Sequence, residues 1–462
     1  MFKPAIYAQR RQALTSRIGS GLILFLGNND APMNYAGNTY AFRQDGSFLY
    51  YVGLDEAGLA AVIDVDAGTE TLYGTELTTD DVVWTGPQPS LADKAAASAL
   101  DGAASMDALH AVLQEAVLKG RRIHFLPQYR HDLMLMLERM LGIHSSQINR
   151  YVSRELVAAV VAQRSVKADE EIAEIEAALD ITHEMHTTAM RIARPGVVER
   201  EVAGTLQGIA LKRGSGVAFP VIFSRHGETL HNHYYGNTLQ KGDIAICDTG
   251  ASAVSGYAAD ITRTIPIGGK FSDRQRDIYE LVLKAEMEGI AACKPGVKFR
   301  EVHLLAARIL LEGMKALGFI RGRVEDALEV GAQGLFFPHG LGHMMGIDVH
   351  DMEGLGENNV GYDDTTDRSE QFGLSALRMA KALQPGYVMT VEPGIYFIPQ
   401  LIDIWKQENR HGEFIVYERF EEYKGFGGIR IEDDVLVTGD GHRVLGKPIP
   451  KTVDEVEALA SA

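Results

Sequence analysis

The chain has 462 residues, 46% of them apolar and 23% charged, which suits two folded domains and excludes a disordered protein. Its formal net charge is -17 and no block of lysine or arginine occurs, so nucleic acid and anionic membrane are excluded as partners. Its two cysteines exclude a disulfide framework, and because no secretion signal or membrane-spanning window is found, we expect a cytoplasmic protein.

Residues 1–165 are predicted to form a small α/β domain. A polar helix is predicted over residues 4–18, and apolar runs bounded by turn residues predict strands over residues 21–27, 48–52 and 59–65. Helical patterns over residues 105–119 and 130–141 flank a predicted strand at residues 123–126. The histidines of this region are scattered, so none is expected to take part in chemistry.

Residues 166–462 are predicted to form a second domain made of two related halves. An amphipathic helix runs from Lys167 to Arg194, where Pro195 and Gly196 end it, and another helix follows over residues 198–214. The segment 194–202 then recurs at 294–302 with six identities in nine positions. Because each copy lies between two helical patterns, we infer an internal duplication.

Each half then supplies two acidic residues on predicted strands. Asp248 ends an apolar strand and Asp260 lies on the next one, while Glu392 and Glu432 occupy the same places in the second half. A carboxylate is costly to bury unless it is paired or binds a cation. One such acid is commonly a cap or a turn residue, but four in a duplicated pattern indicate a shared cation site.

The segment 337–351 adds three histidines, His339, His343 and His350, with glycines at 340, 342 and 346. We expect these glycines to let the backbone approach a ligand closely. A set of one imidazole and several carboxylates favours Mn²⁺ or a similar ion over a thiolate-bound zinc. The four negative charges of the carboxylates balance the charge of two divalent ions. A hydroxide held between two metals is a strong nucleophile, so hydrolysis is the predicted reaction class.

The chain resembles the metallopeptidases of pita-bread fold, and among them prolidase and aminopeptidase P. The resemblance covers nearly the whole chain, because residues 42–48 also resemble the amino-terminal domain of those enzymes. It rests on six motifs in the order found in the family: residues 248–251, 256–264, 339–343, 348–351, 390–394 and 430–434. It implies an α/β amino-terminal domain followed by a pita-bread catalytic domain.

The resemblance also implies a role for each candidate residue. Two divalent ions, Mn²⁺ or else Zn²⁺ or Co²⁺, would be held by one histidine and four acids, with Asp260 and Glu432 bridging them; the ligands are Asp248, Asp260, His343, Glu392 and Glu432. Glu392 would also carry the proton. His231 and His350 would hold the substrate and stabilise the tetrahedral intermediate. His339, Arg378 and Arg430 would contact the substrate, and His233 competes with His231 for its role.

The expected substrate is a small peptide with proline at its second position. Residues 373–386 resemble the prolidase segment whose arginine grips the free carboxylate of proline, which Arg378 would do bidentately. The insert over residues 398–426 also resembles prolidase. An Xaa-Pro aminopeptidase acting on longer peptides is the alternative enzyme, and a metal-free binding module of the same fold is the alternative class. The family resemblance also implies a homodimer.

Overall fold

The computed structural model describes residues 2–462, which divide into two compact units. The first is formed by the chain up to Arg164 together with Met352–Asn359, and the second by Ser165–Asp351 and Val360–Ala462. Among residues 2–462, no helix combines the length and apolar character needed to cross a membrane. Cys247 and Cys293 are both buried and unpaired.

The first unit is built on a five-stranded sheet. Its strands are β1 Leu22–Leu26, β2 Pro32–Tyr35, β3 Asn38–Thr39, β4 Ala60–Asp64, β5 Thr69–Gly74, β6 Gly102–Ser105 and β7 Ile123–His124. The order in the five-stranded sheet is β6-β5-β4-β1-β7. Its helices are α1 Pro4–Thr15, α2 Gly46–Tyr51, α3 Thr79–Thr85, α4 Leu91–Ala97, α5 Met106–Leu118, α6 His131–Leu141 and α7 Arg154–Ser165. The core lies between β1, β4, α5 and α6 and contains Leu24, Val62, Leu113 and Leu137.

The strand predicted at residues 48–52 is wrong, because residues 48–51 belong to helix α2 and Val52 is its C-cap. The Asp45 carboxylate accepts hydrogen bonds from the backbone N–H groups of Ser47 and Phe48, both at 2.9 Å, and so starts the helix. Phe48 and Tyr51 are fully buried. A short apolar run that is buried on all sides has no periodicity that separates a strand from a helix.

The second unit contains two helix pairs and several small antiparallel sheets. Its helices are α8 Asp169–Ile192, α9 Glu199–Arg213, α10 Asp273–Ala292, α11 Phe299–Ala316, α12 Val324–Val330, α13 Glu357–Gly361 (which begins in the first unit), α14 Pro399–Gln407, α15 Tyr417–Glu421 and α16 Val453–Ser461. Its strands are β8 Gly216–Val217, β9 Ile222–Ser224, β10 Ile244–Asp248, β11 Ala251–Ser252, β12 Thr262–Pro266, β13 Val388–Val391, β14 Gly394–Tyr396, β15 Gly428–Arg430, β16 Asp433–Val437 and β17 His442–Val444.

The two halves repeat the same arrangement of helix, turn and helix, followed by a three-stranded sheet. The halves use α8 and α9 with the sheet β12-β10-β9, and α10 and α11 with the sheet β13-β16-β17. The turns contain Gly196 and Gly296, with φ angles of 94° and 83° that favour glycine. Gly196 N–H donates to the Leu239 carbonyl and Gly296 N–H to the Leu383 carbonyl, both at 2.8 Å. The predicted pair of related halves is therefore present in the fold.

Candidate active site

The acidic residues of the two halves meet where the two sheets are joined. Asp248 lies opposite Thr262 in the β10–β12 pair, and Asp433 lies opposite Val391 in the β13–β16 pair. A single antiparallel bridge pairs Thr262 with Glu432, whose backbone N–H donates to the Thr262 carbonyl at 3.1 Å. This bridge brings residues that are far apart in sequence to one edge.

The predicted placement of the four acids on strands is correct only for Asp248. Asp260 lies two residues before β12, Glu392 directly follows β13, and Glu432 lies between β15 and β16. A residue just outside a strand is free of the regular alternation of side chains, so it can turn towards a shared point. Three of the four acids therefore converge from positions that flank strands, while Asp248 is the last residue of β10.

Three of the predicted ligands lie close enough to share one ion. Asp260, His343 and Glu432 each offer a ligand atom within 4.8 Å of the others. The Nε2 atom of His343 is 3.4 Å from Asp260 Oδ2 and 3.7 Å from Glu392 Oε1. The other ring nitrogen of His343, Nδ1, donates to the Met344 carbonyl at 3.1 Å, which leaves the Nε2 lone pair facing the carboxylates.

The electrostatics of the site fit bound cations. Burial and the surrounding carboxylates raise the pKa values of Asp260 and Glu432 well above their ordinary range, and burial raises that of Glu392 to about 7. The buried oxygens Asp248 Oδ1 and Asp260 Oδ1 have no hydrogen-bond partner among the described residues. Clustered, unpaired carboxylate oxygens with one imidazole nitrogen are a suitable donor set for divalent ions such as Mn²⁺.

Arg430 lies beneath this cluster, with each of its three nitrogens bound to the protein. Its guanidinium donates to Asp248 Oδ2 at 2.5 Å, Tyr396 Oη at 2.8 Å and Thr262 Oγ1 at 3.1 Å. Arg430 also lines a cavity that contains the predicted ligands, so its predicted substrate contact stays a prediction alongside its pairing with Asp248. The geometry suits a residue that orients a metal ligand.

A hydrogen-bond chain continues from Arg430 to His339. Tyr396 Oη accepts from Arg430 and lies 2.9 Å from His339 Nε2, while His339 Nδ1 lies 2.8 Å from the Gly340 carbonyl. The carbonyl can only accept, so Nδ1 carries the proton and the tyrosine hydroxyl donates to Nε2. Both nitrogens of His339 are therefore engaged, consistent with a pocket wall.

The candidate substrate residues line a cavity of about 520 Å³ that also contains all five predicted ligands. His231, His233, His350 and Arg378 all contribute to its wall. The pKa of His231 is lowered by burial, and the charges of Asp248, Arg430, Arg378 and His350 also act on it. These neighbours place His231 within electrostatic reach of the acid cluster. The ring centroids of His350 and His343 are 4.2 Å apart.

The glycines at 340, 342 and 346 pack closely against the protein itself. Gly340 and Gly342 also line the cavity, so their expected close approach to a ligand stays a prediction. A Cβ atom on Gly342 would lie 2.0 Å from the Thr390 carbonyl oxygen, and one on Gly340 would lie 2.7 Å from the Leu377 Cα atom. A Cβ atom on Gly346 would meet the Asp351 carboxylate at 2.5 Å. These glycines let neighbouring parts of the protein approach the histidine segment, so they shape the site through packing.

Three residues that hold the site together were missed in the sequence. Thr262 Oγ1 donates to Glu432 Oε2 at 2.7 Å, and Thr390 Oγ1 accepts the His343 N–H at 3.1 Å. The third is Tyr396, which links Arg430 to His339. Threonine and tyrosine near strand ends are common, so only their contacts distinguish them.

Two known families match most of the chain. Residues 173–439 match the family described as Metallopeptidase family M24, and residues 7–124 match the Aminopeptidase P, N-terminal domain. An Xaa-Pro dipeptidase of Homo sapiens is 32% identical, with 98% of this chain and 93% of the relative covered. A probable Xaa-Pro aminopeptidase, pepP, of Aspergillus terreus is 33% identical, with 91% and 89% covered.

Solved structures extend the similarity to the whole fold. Aminopeptidase PepP of Pseudomonas aeruginosa superposes with a TM-score of 0.81 at 26% identity, covering 100% of this chain and 98% of that one. Proline aminopeptidase P II of Yersinia pestis gives 0.81 at 27% identity, with both chains covered completely.

Proposed function

The chain belongs to metallopeptidase family M24, and we propose that within this family it is an Xaa-Pro dipeptidase, or prolidase. The observation that carries the proposal is Arg378 in the wall of the cavity that contains the ligand cluster. A guanidinium at this place can pair bidentately with the carboxylate of a carboxy-terminal proline. A longer peptide has an amide there, which gains nothing from such a pair.

We assign two divalent ions to the acid cluster, held by Asp248, Asp260, His343, Glu392 and Glu432. Such ions, when bound, activate water and polarise a carbonyl group. We also assign the proton transfer to Glu392, as the family resemblance implies. Its carboxylate would take a proton from the attacking water and deliver it to the proline nitrogen as the peptide bond breaks.

The histidines of the cavity would bind and orient the substrate. His231 and His350 would donate hydrogen bonds to the carbonyl oxygen as negative charge develops on it. His339, whose two ring nitrogens are already engaged, would pack against the proline ring. His233 also lines the cavity, but the electrostatic neighbours of His231 favour His231 for the contact.

Comparing turnover of Ala-Pro and Ala-Pro-Ala tests the proposal. The wild type should prefer Ala-Pro. Arg378→Ala should lose about 10²–10³-fold in kcat/KM on Ala-Pro and little on the tripeptide, because only the dipeptide places a carboxylate at the guanidinium. Arg378→Lys should have a kcat/KM on Ala-Pro between those of the wild type and Arg378→Ala, since lysine keeps the charge without the bidentate geometry.

Arg323→Ala is the matched control, because Arg323 has a side chain that is 75% exposed and is not part of the cavity wall. It should leave both turnover rates unchanged. Faster turnover of the tripeptide by the wild type, or an unchanged ratio in Arg378→Ala, would contradict the dipeptidase proposal and favour an Xaa-Pro aminopeptidase.

We also propose Mn²⁺ as the metal, a homodimer as the assembly and the cytoplasm as the compartment. Mn²⁺ is supported by the carboxylate-rich ligand set. The dimer rests on the family resemblance, and the compartment on two buried, unpaired cysteines. The proposed domain boundary near residue 165 falls between the two family matches, which end at residue 124 and begin at residue 173. Metal analysis and sedimentation of the purified protein test the first two.

A further inference from the structure

The loops that carry His231 and Arg378 occupy equivalent places in the two halves. The first residue of the second helix in each pair hydrogen-bonds to the chain at the end of each loop. In the first half the N–H of Glu199 donates to the Asn237 carbonyl at 3.0 Å, and in the second half the N–H of Phe299 donates to the Lys381 carbonyl at 3.1 Å. The duplicated fold thus presents two related loops to the site, each with a candidate substrate residue.

The repeats differ in the residue that meets the loop. Residue 199 is glutamate, whereas its counterpart 299 is phenylalanine, and both are completely buried. Burying a carboxylate costs free energy unless hydrogen bonds satisfy it. Residue 199 is a glutamate where the other half has an apolar ring, so we expect its carboxylate to have specific partners. The hydrogen bonds of Glu199 identify these partners.

The Glu199 carboxylate holds both ends of the loop that runs from Arg225 to Asn237. Its Oε1 atom accepts the backbone N–H of Arg225 at 2.9 Å and the hydroxyl of Ser224 at 3.3 Å. Its Oε2 atom accepts the backbone N–H of Asn237 at 3.1 Å and the side-chain amide of Asn237 at 2.9 Å. One side chain therefore closes a loop that has little regular structure of its own.

The same network reaches the residue next to His231. Ser224 Oγ, which donates to Glu199, accepts the side-chain amide of Asn232 at 3.0 Å. Asn232 directly follows His231, and its own side-chain oxygen accepts the N–H of Tyr234 at 3.0 Å. A short chain of hydrogen bonds thus joins the buried Glu199 to the backbone that presents His231.

We propose that Glu199 is a positioning residue that holds His231 in its orientation towards the substrate. The inference rests on the proposed function through the substrate contact assigned to His231. A side chain on an irregular loop loses effectiveness when it samples many orientations, so fixing the loop in advance favours the reacting geometry. The related loop needs no such carboxylate, since the hydroxyl of Tyr362 donates to the Leu377 carbonyl next to Arg378 at 2.6 Å.

A double-mutant cycle between Glu199→Gln and His231→Ala tests this role in the metal-loaded enzyme. Glutamine keeps the shape but turns an N–H donor towards N–H groups that need an acceptor, so kcat/KM should fall at least tenfold. In the His231→Ala background the same change should cost less than twofold, because the group it positions is gone. Glu201→Gln is the matched control: Glu201 is exposed, caps the same helix through the Val198 N–H, and should leave activity unchanged.

A second measurement does not depend on turnover. Amide hydrogen exchange over residues 225–237 should be faster in Glu199→Gln than in the wild type and unchanged in Glu201→Gln. If Glu199→Gln does not fold, Asn237→Ser removes one of the same hydrogen bonds and should show the same coupling to His231. Equal losses in both backgrounds, or full activity in Glu199→Gln, would overturn the inference. Failure of the proposed function is distinct, since the wild type itself would then turn over Ala-Pro-Ala faster than Ala-Pro or hydrolyse neither.

Discussion

Arg263 lies beside the bridge between Thr262 and Glu432, and its contacts allow a quantitative prediction of stability. Its guanidinium is fully buried, and all five of its N–H groups donate to protein acceptors. Four of these acceptors are backbone carbonyls, and the fifth is the carboxylate of Asp433, 2.7 Å away. Asp433 also pairs with Lys451 at 2.6 Å, and Lys451 in turn binds Glu286. Arg263→Met removes all five hydrogen bonds and the ion pair with Asp433.

The expected loss follows from the contacts that disappear. Removing one partner of a buried ion pair costs about 3–5 kcal/mol, and each buried carbonyl that loses its donor adds about 1 kcal/mol. Because these costs are not additive, we predict about 5 kcal/mol, a large part of the roughly 5–15 kcal/mol that stabilises a typical protein. Arg263→Lys keeps the charge but has three donors for five acceptors, so it should lose about 2 kcal/mol.

Urea denaturation of the protein in EDTA measures these losses without a contribution from bound metal. Arg213→Met is the control, because Arg213 also binds two acids, Asp180 and Glu184, at 2.6 and 2.7 Å, but its side chain is 35% exposed. A surface pair of this kind contributes less than about 1 kcal/mol. Equal losses for Arg263→Met and Arg213→Met would refute the reasoning from burial.

Three further predictions concern pH, catalysis and metal. Burial lowers the pKa of His186 to about 3 and that of His303 to about 4, so both are neutral when folded. The unfolded chain binds their protons below its pKa near 6.5, so stability is full above that pH and falls by about 2 kcal/mol for each histidine between pH 6.5 and 5. Asp260→Ala and Glu392→Ala should abolish hydrolysis of Ala-Pro. Asp260→Ala removes a proposed metal ligand, and Glu392→Ala removes both a proposed ligand and the proposed proton carrier. Adding Mn²⁺ at about 100 times its Kd should raise the free energy of unfolding over that in EDTA by about 2.7 kcal/mol for each ion bound.

Each of these predictions has an outcome that contradicts it. His186→Gln should flatten the acid side of the stability curve in urea titrations, and an unchanged slope would argue against a neutral buried ring. Near-normal turnover of Ala-Pro by Asp260→Ala or Glu392→Ala would contradict the role assigned to the substituted residue. An unfolding curve that Mn²⁺ does not shift would show that the acid cluster does not bind this ion in the folded state.

Much of the site was predictable because its donor groups stand at recognisable places in a repeated pattern. Asp248 ends an apolar strand, Glu392 follows one, and His343 lies in a segment with an unusual density of histidine and glycine. Burying an acid after an apolar strand is costly without a cation, so such patterns indicate chemistry before any contact is known. Helices with clear periodicity, such as α8, were predicted for the same local reason.

Other features depend on partners that are distant in sequence. The run from Phe48 to Tyr51 is helical because Asp45 caps the helix and the fold buries these residues. Arg430 reaches Asp248 across 182 positions, a pairing that no local pattern predicts. Gly342 is required by the Thr390 carbonyl, and no local pattern distinguishes that need from close approach to a ligand.

The sequence by itself determined which chemical groups are available: four carboxylates and an imidazole on two related halves, which suffice to indicate a hydrolytic metal site. The tertiary structure decided how they are arranged. The bridge between Thr262 and Glu432 joins the two sheets, and the hydrogen bonds of Arg430, Tyr396 and Glu199 set which atoms face the cavity. Donor identity is a property of single residues, whereas orientation depends on contacts between residues that only the folded chain brings together.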